Sequence, residues 1–144
     1  MTDEAKAVVA SGSLTAGPGP LSQKVLEYTE LMRTLVPSAR TPGDWEPLEK
    51  LVAVEEFERV GNYMEVHNWR QYTEMLTQWV SGTHEFETEV RRISEMPGRV
   101  FFEIQETHFR GDRTDVVNSM SVFQFNDEGK ICHLDIYLQQ PQTA

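Results

Sequence analysis

The stretch EFETEVRRISEMPGRVFFEIQETHFRGDRTDVVNSMSVFQFNDEGKICHLDIYLQQ, Glu85 to Gln140, decides the fold. Four segments in it, Glu85–Ser94, Val100–Phe109, Val116–Phe125 and Ile131–Gln139, are rich in Val, Ile, Phe, Tyr and Thr. Turn signals separate them: Pro97-Gly98, Gly111-Asp112 and Asn126-Asp127-Glu128-Gly129. Branched and aromatic side chains fit a pleated, half-buried surface, and glycine supplies the backbone angles of tight turns. Links this short join antiparallel neighbours, because a parallel return needs a crossover of about a dozen residues or more. The rest of the chain must then cover one face of this sheet.

Upstream, Asn68 and Gln71 form a capping-box pattern ahead of the apolar stripe Trp69, Tyr72, Leu76, Trp79 and Val80, and Gly82 follows its end. An earlier helix is predicted from Ser22, as its cap, to Val36, with Pro37 as its stop. Val25, Tyr28, Met32 and Leu35 recur along it at helical spacing. Between the helices the sequence predicts a loop over Ser38–Asp44, a helical turn over Trp45–Leu51, a strand over Val52–Val60 and a turn at Gly61-Asn62. Alternation puts Phe57 and Arg59 on one side of that strand and Glu56, Glu58 and three valines on the other. The two acids stand either in solvent near an edge or, beside the valines, inward. Helices with single apolar stripes against a mostly antiparallel sheet make an α+β fold. Residues 1–20, with their Ser-Gly and Gly-Pro runs, are expected to be a flexible arm before a single domain over 21–144.

Of 144 residues, 23 are Asp or Glu and 13 are Lys or Arg, a formal net charge of -10. That balance opposes binding to a nucleic-acid backbone or an anionic bilayer. No run approaches the roughly 20 apolar residues that span a membrane, and the start lacks a signal-peptide pattern, so a cytoplasmic location is expected. Cys132 is the lone cysteine and excludes an intrachain disulfide. His67, His84, His108 and His133 show no metal-ligand spacing, and no glycine-rich phosphate loop occurs; no metal or cofactor is expected.

The order of helix, helical turn, strand, capped helix and four strands resembles the NTF2-like or SnoaL-like superfamily. The most recognisable pieces are GDWEPLEKLVAVEEFERVG and VFQFNDEGKICHLDIY, and the resemblance covers Leu21 to Gln140. It implies a cone-shaped fold in which a bent sheet wraps the helices around a pocket, and it implies a homodimer. Ketosteroid isomerases, limonene epoxide hydrolases, polyketide cyclases, dehydratases and non-catalytic binding domains share this fold.

Glu27-Tyr28-Thr29-Glu30-Leu31 is similar to the isomerase segment that carries the phenolic oxyanion donor, which assigns that role to Tyr28. Glu56-Phe57-Glu58-Arg59-Val60-Gly61 falls where those enzymes carry Val-Glu-Asp-Pro-x-Gly, which makes Glu58 the general base. Their second donor, a protonated aspartic acid, aligns with Ser121, and a further tyrosine aligns near Leu76. In the epoxide hydrolase pattern Ile104 replaces the arginine, Glu106 matches one acid, and Ile136 stands where the second acid would be. The chemistry is coherent without the name: a carboxylate in an apolar chamber gains basicity, and a tyrosine hydroxyl stabilises charge developing on a carbonyl oxygen.

Cys132, Leu134, Ile136 and Leu138 form the apolar side of the last strand and are expected to wall the pocket, with His133 and Asp135 facing away. Tyr63, Trp69 and Trp79 either line that pocket or complete the core beneath it, one tryptophan buried and the other near the mouth. The expected ligand is a small apolar or carbonyl-containing molecule. The resulting reading is a cofactor-independent isomerase, cyclase or dehydratase, with a non-catalytic binding or interaction domain and an epoxide hydrolase-like enzyme as alternatives.

Overall fold

The computed structural model describes residues 19–82 and 85–142. Its elements are α1 (Pro20–Leu35), a 3-10 helix (Pro42–Leu51), β1 (Glu58–Val60), β2 (Val66–His67), α2 (Trp69–Ser81), β3 (Glu85–Met96), β4 (Arg99–Arg110), β5 (Arg113–Phe125) and β6 (Ile131–Gln139). They form one six-stranded sheet in the order β2-β1-β6-β5-β4-β3. β3 to β6 are the four strands expected, antiparallel throughout. The first three extend beyond their predicted ends toward the turns, where paired backbone groups continue the ladders after the apolar pattern has faded. Gly98, Gly111 and Gly129 all adopt positive φ, the conformation for which those turns use glycine.

Most of the predicted strand Val52–Val60 is not a strand. Val52 makes one parallel bridge to Ile131, the chain turns with Glu56 N–H donating to Ala53 O, and pairing resumes only at Glu58. β1 then lies parallel to β6 and antiparallel to β2. Alternating residues favour a strand only where a partner edge exists, and β6 offers this segment three paired positions.

α1 begins at Pro20, whose missing N–H is no loss in a first turn. Ser22 is fully buried inside the helix and does not cap it. The capping acceptor is Glu95 of β3, which receives Ser22 N–H and Ser22 Oγ–H, each at 2.8 Å, and Leu21 N–H at 3.3 Å. Gly19 permits this approach, since a Cβ there would lie 2.7 Å from Glu95 Oε1. The carboxylate meets the positive end of the helix dipole and ties α1 to the sheet. Of the arm expected over 1–20, only Gly19 and Pro20 fall within the described residues.

The helical turn predicted from Trp45 is a 3-10 helix that starts three residues earlier, at Pro42. Arg40 N–H and Thr41 N–H donate to Asp44 Oδ2 at 2.7 and 3.0 Å, and these bonds hold the Asp44 carboxyl below its ordinary range. Depressed in the folded state, this group contributes stability above its unfolded pKa near 4 and loses it as pH falls through the folded value. Asp44→Asn is therefore expected to destabilise the protein at neutral pH, with the gap from wild type closing on acidification below about pH 4. Urea midpoints measured across that range check the prediction, and a pH-independent gap would refute it.

Val25 and Tyr28 of α1, Trp45 and Leu48 of the 3-10 helix, and Trp69, Tyr72, Leu76 and Val80 of α2 pack with Val100, Phe102, Ile104, Phe123 and Leu134 of the sheet. α2 carries the predicted capping box, Gln71 N–H to Asn68 Oδ1 at 2.8 Å and Asn68 N–H to Gln71 Oε1 at 2.9 Å. No helix among the described residues is long and apolar enough to cross a membrane.

Candidate functional site

Cross-strand partners share a face of the sheet, so register decides which side chains meet inside. In the parallel β1–β6 pair Arg59 lies beside Leu134, a core residue, whereas Glu58 and Val60 lie beside His133 and Asp135. Arg59 thus points to the helices and Glu58 away from them. In the short β1–β2 hairpin Arg59 is paired with His67, which puts that imidazole on the same side.

The Arg59 guanidinium, with its side chain 12% exposed, lies over the Tyr72 ring with Cζ 5.2 Å from the centroid. Its Nη1 is 3.9 Å from Met75 Sδ and 3.8 Å from Glu65 Oε2. Gly61 lets the Glu65 carboxylate fold over the β1–β2 turn, where a Cβ would collide with it. Tyr72 belongs to an aromatic group with Phe57 (5.7 Å, stacked) and Trp69 (5.9 Å, edge-on), and Trp69 Nε1 donates to Glu49 Oε2 at 3.1 Å. Tyr28 approaches from α1, packed edge-on against Phe123 at 5.7 Å.

Tyr28 is 4% exposed and its hydroxyl, though facing the Tyr72 phenol, makes no hydrogen bond of ordinary geometry. Burial, reinforced by Tyr72, pushes the Tyr28 pKa well above its usual value. Tyr72 is raised by burial and partly offset by the positive charge of Arg59. Both phenols are therefore protonated donors at neutral pH. Arg59 Nε and His67 Nδ1 are likewise buried without a partner. Such groups cost on the order of 1–3 kcal/mol apiece and are rare in folded proteins. Tyr28, Tyr72, Arg59 and His67 form a polar end within an aromatic interior.

The structure does not bring Glu58 to Tyr28. The Glu58 side chain is 53% exposed on the outer sheet face, with Oε1 3.3 Å from His133 Nδ1, and His133 Nε2 is 3.0 Å from Asp135 Oδ1. The strand period explains this: Arg59 points inward, so its neighbour Glu58 points out. Tyr63, expected at the pocket, sits on the β1–β2 turn and is 79% exposed. Ser121 faces the interior between Phe102 and Ile136. Trp69, Leu76, Ile104 and Leu134 are core residues, Ile136 packs against that core, and Leu138 is half-buried. Of the two tryptophans, Trp69 is buried and Trp79 is 37% exposed.

Trp79 stands at a second locus. Its ring meets Phe86 at 5.7 Å, and Phe86 stacks on His108, whose Nε2 is 3.0 Å from Glu106 Oε1. Phe86 and Thr88 line an open cleft of about 810 Å³ with Arg33, Val36 and Pro37 from the end of α1. Tyr28, Met32 and Val36 lie four residues apart on one side of α1, which puts the cleft about 12 Å along the helix from Tyr28. Among the described residues no three His, Cys, Asp or Glu side chains are arranged to hold a metal ion, and His84 lies outside them.

Arg59 and His67 were not singled out by the sequence reading, and Tyr72 was counted as core. The pairing of Arg59 with Phe57 on one side of a strand was the available signal, since Phe57 is apolar enough to fix that side inward.

No family model matches the sequence, and no curated protein does. Solved structures do. A candidate SnoaL-like polyketide cyclase from Shewanella putrefaciens aligns with a TM-score of 0.66 at 8% identity, covering 84% of this chain and 80% of that one. An NTF2-like protein from Anabaena variabilis gives 0.60 at 14% identity over 86% and 96%. An LEH-like epoxide hydrolase from M. tuberculosis gives 0.57 at 16% identity over 81% and 84%. At these identities the likeness is one of fold: an α+β, NTF2-like and SnoaL-like fold.

Proposed function

We propose that, within this NTF2-like fold, the chain binds a small, largely apolar molecule whose oxygen-bearing end meets Tyr28 and Tyr72 and whose apolar body extends toward the cleft at the end of α1. The observation that carries this reading is the Tyr28 hydroxyl, a protonated donor without a hydrogen-bond partner among aromatic rings. Donation to a carbonyl oxygen would stabilise the charge that appears when the neighbouring carbon loses its proton, the common step of cofactor-independent isomerases, cyclases and dehydratases. With Glu58 outside, this reading assigns no proton acceptor beside Tyr28; Glu106, bonded to His108, stands at the second locus, and Ser121, on the inner face, is a ligand contact.

The position of Glu58 favours a second reading, ligand binding without catalysis. One experiment separates the two. The ketone 2-acetonaphthone, labelled with 13C at its carbonyl, is added in heavy water. A downfield carbonyl shift that disappears in Tyr28→Phe supports the interior site. Faster deuteration of its methyl group on top of that shift marks an acid–base enzyme, whereas the shift alone marks a binding protein. No Tyr28-dependent shift overturns both. A homodimer is proposed across the outer face, where Tyr137 and Val116 are exposed; a monomer mass in sedimentation would remove it.

A further inference from the structure

Resting on that reading of the interior, we propose that its polar end is built for a carboxylate, held by Arg59 and His67 with Tyr28 donating to the same group, so that the ligand is a small, largely apolar carboxylic acid. Among the described residues the buried side-chain nitrogen and oxygen atoms without a partner are Tyr28 Oη, Arg59 Nε and His67 Nδ1. Orphans arising from imperfect packing would scatter; here Arg59 and His67 are neighbours, and Tyr72 stands between Tyr28 and the Arg59 guanidinium. Arg59 and His67 are cross-strand partners on one face, and the Arg59 guanidinium lies over Tyr72, which the Tyr28 hydroxyl faces.

The donor set specifies the acceptor. A guanidinium nitrogen has only hydrogens to give, a protonated phenol has one to give, and an imidazole nitrogen gives one in the appropriate tautomer. Three donors call for more than one acceptor oxygen, which a lone ketone oxygen does not supply. Arg59 Nη1 is already turned to Glu65 and Met75, so the Nε edge remains for a ligand, and that edge suits a planar carboxylate. A phosphate dianion would stand beside the Glu65 carboxylate, in a chain of net charge -10, and is disfavoured by both. The surrounding Phe57, Trp69 and Tyr72 rings explain why the remainder of the acid is apolar.

The test compares naphthalene-2-carboxylate with its methyl ester and with 2-acetonaphthone by calorimetric titration of the full chain. The expected result is about ten- to hundredfold tighter binding of the acid. Arg59→Gln should collapse that ratio, and Arg59→Lys, which keeps the charge without the planar edge, should restore it only in part. The wild-type ratio needs no variant, so it stands even if Arg59→Gln fails to fold. Ester or ketone binding as tightly as the acid overturns the carboxylate while leaving the interior site intact. Binding of none of the three overturns both. An acid preference that survives in folded Arg59→Gln overturns the assignment to Arg59.

Discussion

Trp45→Ala is expected to cost about 3–5 kcal/mol, a large part of the roughly 5–15 kcal/mol that holds a domain of this size together. Trp45 has no exposed surface and is among the largest of the fully buried side chains. It also spends its polar atom well: Nε1 donates to Thr77 Oγ1 at 3.1 Å, fixing the 3-10 helix against α2, while Thr77 passes its own hydrogen to Thr73 O at 2.7 Å. Alanine would leave a cavity that the surrounding side chains cannot fully close. Trp45→Phe keeps much of the ring and should lose only about 1–3 kcal/mol. Trp79→Ala, at a half-open site, should cost about 1 kcal/mol or less. Urea denaturation read by far-UV circular dichroism orders the three, and a Trp45→Ala midpoint close to wild type would refute the packing described.

Tyr28→Phe should move stability and function in opposite directions. The variant removes a buried hydroxyl that has no partner, so the folded state is expected to gain about 1 kcal/mol. Any reaction in which that hydroxyl meets developing negative charge should slow by about 100- to 1000-fold. A purely structural tyrosine would give neither result: losing a satisfied hydrogen bond lowers stability, and no ligand signal changes. The unfolding midpoint and the rate of methyl deuteration of 2-acetonaphthone are the paired measurements. A stability loss, with the rate unchanged, would place Tyr28 among ordinary core residues.

The outer cluster shows how strand parity separates two residues expected to act together. Glu58 was expected to be the base from a resemblance in sequence, yet its carboxylate lies with His133 and Asp135 on the outer face of the sheet. One residue decides this, because strand neighbours point to opposite faces. The segment Val52–Phe57 compounded the error, since its turn at Ala53–Glu56 separates it from the strand it was taken to belong to. The hydroxyl that Tyr28 faces belongs to Tyr72, one helical turn before Leu76 and read from the sequence only as part of an apolar stripe. The stripe put both tryptophans on one side of α2 and left open which is buried; the structure buries Trp69 and leaves Trp79 at the margin.

By itself the sequence determined the four long antiparallel strands, the two amphipathic helices, the Asn68 cap and the turns at Gly98, Gly111 and Gly129. All of these follow from forces that act within a few residues: side-chain periodicity, capping and backbone angle. Only the tertiary structure decided that Glu95 caps α1, that β1 lies parallel to β6, and that Tyr28, Arg59, His67 and Tyr72 share one interior. Register and desolvation set those outcomes. Both are sums over parts of the chain distant in sequence, so no local pattern carries them.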